Sequence, residues 1–80
     1  MVDIRLVHGD DWKGLYINNK LVLEGHNITI MDLFSILSYS YKDEKIKDIH
    51  VVEYWCDTDW LEDRGSFPKN FKELNVKGII

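Results

Sequence analysis

The sequence predicts an α+β fold: a small antiparallel sheet of about four strands, one main helix packed on it, and two short C-terminal helices. Three patterns carry this prediction. Apolar and polar residues alternate over residues 2–8, as they do in a half-buried strand. Residues 12–24 have the pattern of a hairpin, and over 29–41 apolar residues recur at the spacing of one helix face.

The length and composition predict one folded domain over residues 1–80. Apolar residues make up 45% of the chain and aromatic residues 12%, which is enough for one compact core in a domain this short. The chain has a single proline and no low-complexity run, so its composition differs from that of a disordered protein.

The hairpin is centred on Asn18 and Asn19, because asparagine tolerates the positive φ angles of a two-residue type I′ turn. A turn at these residues places Tyr16 opposite Leu21 and predicts regular pairing from there to the open end of the hairpin. One face would then carry Trp12, Tyr16, Leu21 and Leu23, and the other Leu15, Ile17 and Val22. Both faces are apolar, so we expect both to be covered.

The main helix is predicted to begin at Thr29, an N-cap residue followed three positions later by Asp32, as in a shortened capping box. It is predicted to end near residues 39–41, before the charged loop at 42–48. Its apolar positions share one face, which we expect to pack on the sheet: Ile30, Leu33, Phe34, Leu37 and Tyr41.

A second long strand is predicted over residues 46–56. Its side chains alternate, with Ile49, Val51 and Trp55 on one side and His50, Val52, Tyr54 and Cys56 on the other. Because apolar groups stand on both sides, we expect a central position in the sheet rather than an edge. The tail at 77–80 is expected to be loose or to pair with a strand.

Two short helices are predicted in the last third of the chain. The first spans residues 59–64, with Asp57 and Thr58 available to cap its start and Gly65 to close it in the left-handed conformation. The second spans residues 66–74, where phenylalanine and leucine recur at three- and four-residue spacing.

The charge pattern argues against a DNA track. The net charge is −4, and the ten lysines and arginines are scattered, whereas DNA-binding proteins usually present a basic patch.

The single cysteine excludes an internal disulfide and a cysteine-rich zinc site. The N-terminal residues have no secretory pattern and no apolar run approaches membrane-spanning length. We therefore expect a cytoplasmic protein with no membrane contact and no cofactor.

The histidines do not predict a metal site. His50 and Glu53 lie on opposite faces of a strand, and His8 has no acidic partner in register. His26 lies between the hairpin and the helix, where it faces either a ligand near the helix N-terminus or only a backbone group. The acidic residues at 57–63 lack the glycine of a calcium loop, and helix capping accounts for them.

Motifs for catalysis are absent from the sequence. Cys56 follows two aromatic residues in an apolar strand, and the acids after it would raise the pKa of its thiol, so we expect a buried structural cysteine. There is no glycine-rich phosphate loop and no nucleophile elbow. We therefore expect a binding protein rather than an enzyme.

After metal and catalytic sites, the aromatic residues are the most informative feature of the sequence about function. They either pack in the core or form a stacking surface, with a basic side chain supplying charge for an anionic ligand or a partner. On the second interpretation, the ligand-binding residues are Trp12, Tyr16, His26, Trp60 and Arg64.

Several short motifs carry a resemblance to a known group of proteins. The run from Trp12 to His26 contains Trp-x-Gly-Leu-Tyr and Glu-Gly-His, and Trp-Leu-Glu at 60–62 and Pro68 follow later. This pattern resembles a group of small phage and bacterial proteins of unassigned function, most closely in the first third of the chain. Asn19 stands where glycine is commoner in that group. The resemblance implies no catalytic residues, and small phage proteins of this sort often act against host defence or host regulation.

The resemblance implies two alternative functions. The first is sequestration of a nucleotide-like signal between subunits, near Trp12, Gly25 and His26. The helix N-terminus there favours an anion, whereas Asp32, Asp10 and Asp11 disfavour one. The second is a protein–protein interaction module that inhibits or adapts a host protein. The predicted apolar surface exceeds what the helices cover, so we also expect a homo-oligomer, most simply a symmetric dimer.

Overall fold

Five strands and two helical segments make up the part of the chain that the computed structural model describes, which is residues 2–29, 31–33, 35 and 49–80. The strands are β1 (Val2–His8), β2 (Lys13–Ile17), β3 (Lys20–Gly25), β4 (Ile49–Cys56) and β5 (Val76–Ile79). The helical segments are α1, described at residues 31–33 and 35, and α2 (Thr58–Arg64), and a 3₁₀ turn follows at Phe71–Glu73.

The strands form one mixed sheet in the order β3-β2-β1-β4-β5. β1 lies at the centre, antiparallel to β2 and parallel to β4, so the two halves of the chain meet along it. The predicted α+β class is confirmed. The sheet differs from the predicted one, since it has five strands and one parallel pair. A parallel pair needs a long crossover, which residues 26–48 between β3 and β4 are long enough to make.

The hairpin turns where the sequence predicts. Asn18 and Asn19 have φ angles of 50° and 70°, as a type I′ turn requires, and Tyr16 lies opposite Leu21. Asn18 also accepts a hydrogen bond from the backbone N–H of Asp3 (3.1 Å), which ties the turn to the central strand.

Beyond the turn, the predicted regular pairing is wrong. The register shifts between Leu15 and Tyr16, and Leu15 pairs with Leu23 instead of Val22. An extra residue in one strand moves every later side chain to the opposite face. Leu23 therefore packs with Leu15 and Ile17 instead of sharing the Tyr16 face, and Val22 is 42% exposed.

Both faces of the sheet carry a buried core, as the apolar hairpin predicts. On one face the buried residues are Ile4, Leu15 and Ile17, with Leu6, Leu23, Ile28 and Leu33 packed against them. On the other they are Val7, Tyr16, Cys56, Leu61 and Phe67, with Trp12, Leu21, Tyr54, Trp60, Phe71 and Leu74 around them. The second face is the more aromatic, so much of the aromatic surplus is core.

The start of α1 is confirmed. The carboxylate of Asp32 accepts from the backbone N–H of Thr29 (2.8 Å), and Thr29 Oγ1 accepts from the N–H of Asp32 (3.3 Å), which is a reciprocal capping box. Leu33 packs on the core as predicted. The predicted helix end, the loop at 42–48, the first residues of the predicted strand, and Ile30, Phe34, Leu37 and Tyr41 lie outside the described residues.

The short helix α2 has the predicted caps. Asp57 Oδ1 accepts from the backbone N–H of Trp60 (2.9 Å), which satisfies one free donor of the first turn. Gly65 ends the helix with φ of 87°, and its N–H donates to the carbonyl of Leu61. None of the described helices is long and apolar enough to cross a bilayer.

The segment after α2 does not form the predicted helix. Only Phe71–Glu73 make a 3₁₀ turn, with Asn70 as its N-cap. Phe67 and Pro68 are buried in the core instead, because tertiary contacts across the hairpin outweigh the weak helical spacing. The tail pairs as β5 with β4, which confirms the central position predicted for β4.

Candidate functional site

A cleft of about 310 Å³ lies where the β1–β2 turn, the end of β3 and α2 meet. We call it the Trp12 cleft, and its lining residues are Asp10, Asp11, Trp12, His26, Thr58, Leu61, Glu62, Gly65 and Ser66. An aromatic wall with a few convergent polar groups is typical of a small-molecule site.

A second, larger cleft of about 500 Å³ lies on the other face of the sheet, between α1 and β4. Its lining is mostly apolar and includes the core residues Ile4 and Leu15. Because it continues the hydrophobic core and offers few groups that could orient a ligand, we place the candidate site at the smaller cleft.

A tight turn at Gly9 brings the walls of the Trp12 cleft together. The N–H of Gly9 donates to the carbonyl of Trp12 (2.7 Å), which closes the β1–β2 turn. A methyl group at Gly9 would lie 2.5 Å from Leu61 Cδ2 and 2.9 Å from the Trp12 carbonyl oxygen. Glycine is therefore what allows α2 to approach the turn so closely.

His26 and Trp12 form one wall of the cleft. Their rings meet edge to face, with centroids 4.6 Å apart. His26 Nδ1 donates to the backbone carbonyl of Asp11 (2.9 Å), so the other ring nitrogen, Nε2, is left to face solvent or a ligand. The backbone hydrogen bond that the sequence offered as one alternative for His26 is therefore present, and the residue also lines the cleft.

The fixed charges of the cleft are acidic. Asp10, Asp11 and Glu62 contribute carboxylates, and the Asp11 carboxylate lies 3.7 Å from His26 Nδ1. Carboxylates repel a phosphate and attract cations and N–H donors. The geometry therefore favours a cationic or hydrogen-bond-donating group inside the cleft.

The five predicted ligand-binding residues are divided among three places. Trp12 and His26 line the cleft together. On α2, the Arg64 guanidinium lies 5.9 Å from the Trp60 ring, and neither residue is part of the lining. Tyr16 is fully buried, and its hydroxyl donates to the Pro68 carbonyl (2.6 Å). Burial raises the pKa of the Tyr16 hydroxyl, so this group is a neutral part of the core.

His8 has an acidic partner, contrary to the prediction. His8 Nε2 lies 2.9 Å from Glu53 Oε1, and the His8 ring lies 5.5 Å from that of Trp55. The partner is on β4, whose place beside β1 depends on the parallel pairing. Among the described residues, no group of three or more histidine, cysteine or acidic side chains is arranged to hold a metal ion.

Cys56 is a buried thiol, as predicted. Burial and the carboxylate of Asp57 both raise the pKa of Cys56. The thiolate, which is the nucleophilic form, is therefore disfavoured, and the residue packs with Val7, Tyr16 and Leu61 in the core.

Five residues of the cleft lining were not predicted: Thr58, Leu61, Glu62, Gly65 and Ser66. They lie on or next to α2, far along the chain from Trp12. Only the parallel pairing of β4 with β1 brings them to the hairpin. The sequence signals a capped helix at this position but not its neighbour.

Comparison of the chain with protein-family models, with curated proteins and with solved structures finds no match.

Proposed function

We propose that this chain is a small non-enzymatic binding protein that sequesters a nucleotide-like signal, with the base held in the Trp12 cleft. The observation that carries the proposal is the Trp12–His26 wall facing the carboxylates of a cleft of about 310 Å³. The resemblance to phage proteins sets the proposed biological role, which is antagonism of a host defence signal.

Stacking supplies the first part of the binding energy. An indole or imidazole face binds a nucleobase with about 1–3 kcal/mol per stacked base, with little dependence on which base it is. The position of Trp12 supports this role, because the residue is half-buried against the core and lines the cleft.

The carboxylates supply the selectivity. A carboxylate accepts hydrogen bonds from exocyclic amino groups, as glutamate and aspartate do from cytosine. Glu62, Asp10 and Asp11 therefore suit a base with amino donors. They disfavour a phosphate inside the cleft, so the phosphate of a nucleotide would lie outside it, towards solvent.

Titration calorimetry with nucleosides and the matching nucleotides tests the proposal. We expect an amino-bearing nucleoside to bind at least as tightly as its monophosphate.

Trp12→Ala and His26→Ala should each weaken binding by about 1–3 kcal/mol, the usual range for losing a stacking or charged contact. His26→Ala should leave Tm nearly unchanged, because the imidazole is 61% exposed, whereas Trp12→Ala should lower Tm.

Two variants complete the experiment. Trp55→Ala is the matched control, because Trp55 is 49% exposed and lies outside the cleft, so binding should be unchanged. Glu62→Gln keeps the shape of the side chain and should weaken binding of an amino-bearing base. Failure of every nucleoside to bind, or equal binding by the Trp12→Ala variant, would contradict the proposal.

A second candidate is a protein–protein interaction module that receives a basic side chain of a host protein. The same carboxylates and the Trp12 ring favour a lysine or arginine, through ion pairing and cation–π contact. A lysine-rich peptide should then bind where nucleosides do not, and Glu62→Gln should weaken it. The two candidates differ in which of these ligands binds.

A further inference from the structure

The two edges of the sheet differ in how they are protected. At the β3 edge, the N–H of Leu21 donates to the carbonyl of Lys69 (2.8 Å), and Lys20 forms a bridge with Asn70. Further along β3, the register shift at Val22 interrupts the regular row of backbone hydrogen-bonding groups on that edge. Coverage and bulges are the usual devices that prevent an edge strand from pairing with another chain.

In the part of the chain that the structure describes, no other segment pairs with the outer side of β5. The register of β5 with β4 also shifts, between Trp55 and Cys56, so both edges are irregular and they differ in coverage. On its inner side, Ile80 N–H donates to Glu53 (3.0 Å) and Asn75 accepts from Asp57 (3.0 Å). These bonds flank the Tyr54–Ile79 and Cys56–Val76 pairs. In an antiparallel ladder, a residue whose backbone groups bond to the neighbouring strand is followed by one whose N–H and C=O groups point away from that strand. Val76 is next to Asn75, and Ile79 is next to Ile80. Val76 and Ile79 therefore present backbone donors and acceptors outwards.

The exposed apolar side chains concentrate at the same edge. Of the seven large hydrophobic residues that are exposed in the described chain, five lie on β4 or at β5: Val51, Trp55, Val76, Ile79 and Ile80. Ile79 is the most exposed of them, at 69%. By their pairing, Val76 and Ile79 lie on the same face as Cys56 and Tyr54, whereas Val51 lies beside Ile4 on the other face. Exposed apolar side chains therefore stand on both faces next to this edge.

We propose that β5 pairs antiparallel with β5 of a second copy of this chain, so that the two sheets continue across a twofold axis. A strand edge is self-complementary under a twofold rotation, since each outward N–H meets the other copy's C=O. Pairing at this edge would cover exposed apolar side chains of β5 on the second copy's approach, above all Ile79, which is 69% exposed. Pairing of Val76 with Ile79 of the second copy places Lys77 opposite Gly78, so the two lysines are not directly opposed.

The substitution Ile79→Pro tests this pairing specifically. Proline removes the N–H of residue 79, which points away from β4, and leaves the Ile80–Glu53 hydrogen bond in place. The parent chain should sediment as a dimer at micromolar concentration. Loss of an outward donor in each copy should raise the dimer Kd about tenfold or more, so that the variant sediments as one chain.

Two further variants keep the result interpretable. Ile79→Glu retains the backbone donor but places a carboxylate on the exposed side chain, so it should also give a monomer, with the native circular dichroism spectrum. Val22→Glu changes an exposed residue at the protected β3 edge and should leave the dimer intact. A parent chain that sediments as a monomer would overturn the proposal. So would folded Ile79 variants that remain dimeric, or dissociation by Val22→Glu.

Discussion

Replacement of Tyr16 by alanine is expected to lower the free energy of unfolding by about 3–5 kcal/mol, the usual cost of removing a large aromatic side chain from a core. Tyr16 is fully buried at the junction of β2 with the C-terminal segment. Its ring meets those of Phe67 and Phe71 edge to face, with centroids 6.4 Å and 5.5 Å away. Small domains are stable by about 5–15 kcal/mol, so this loss approaches complete unfolding.

The conservative variant Tyr16→Phe separates the ring from its hydroxyl. It retains the packing but removes the hydrogen bond to the Pro68 carbonyl, which should cost about 1–3 kcal/mol because a buried acceptor is left unpaired. Urea unfolding followed by tryptophan fluorescence measures both variants. A Tyr16→Ala variant within 1 kcal/mol or so of the parent would contradict the core position of the ring.

The parts of the fold that depend on neighbouring residues are the parts that the sequence predicts. Asn18 and Asn19 adopt positive φ because of their own side chains, and the turn follows. Thr29 with Asp32, and Asp57 with Gly65, form helix caps within a few residues of each other. Each of these features depends on residues that lie within a few positions of one another, so the residue types and their spacing are enough to predict it.

The predictions are wrong where contacts between residues far apart in the chain determine the structure. The register shift beside Leu15 cannot be seen in the alternation of the hairpin, yet it moves Leu23 to the opposite face. Phe67 and Phe71 have helical spacing, but the segment around them forms hydrogen bonds to the hairpin instead of a helix. Tyr16 donates to Pro68, and the N–H of Phe71 donates to the carbonyl of Asn19. Such contacts override a weak local propensity.

The candidate site divides in the same way. Trp12 and His26 are brought together by the hairpin itself, and the sequence therefore predicts their proximity. Glu62 joins them only because β4 runs parallel to β1 and delivers α2 to the β1–β2 turn. Asp10 and Asp11 make the cleft acidic from the turn itself, and the topology adds a third carboxylate, that of Glu62.

Replacement of Gly9 by alanine is expected to destabilise the protein by about 1–3 kcal/mol and to disturb the Trp12 cleft as well. The added methyl group would lie 2.5 Å from Leu61 Cδ2 and 2.9 Å from the carbonyl oxygen of Trp12. Leu61 is buried, so relief of this clash requires a shift of α2 or of the turn, which is the cost of overpacking a core. Because both elements line the cleft, ligand affinity should fall together with Tm.

Gly25→Ala is the matched control, because a methyl group there meets no atom within 4 Å and Gly25 has no positive φ. Its Tm should be unchanged or slightly higher, since alanine restricts the unfolded chain more than glycine does. Thermal unfolding by circular dichroism compares the two variants, and the Trp12 emission spectrum of a Trp55→Phe, Trp60→Phe background reports the cleft directly. If Gly9→Ala melts with the parent and leaves that spectrum unchanged, α2 does not pack on the turn as described, and the cleft between them is not the binding site.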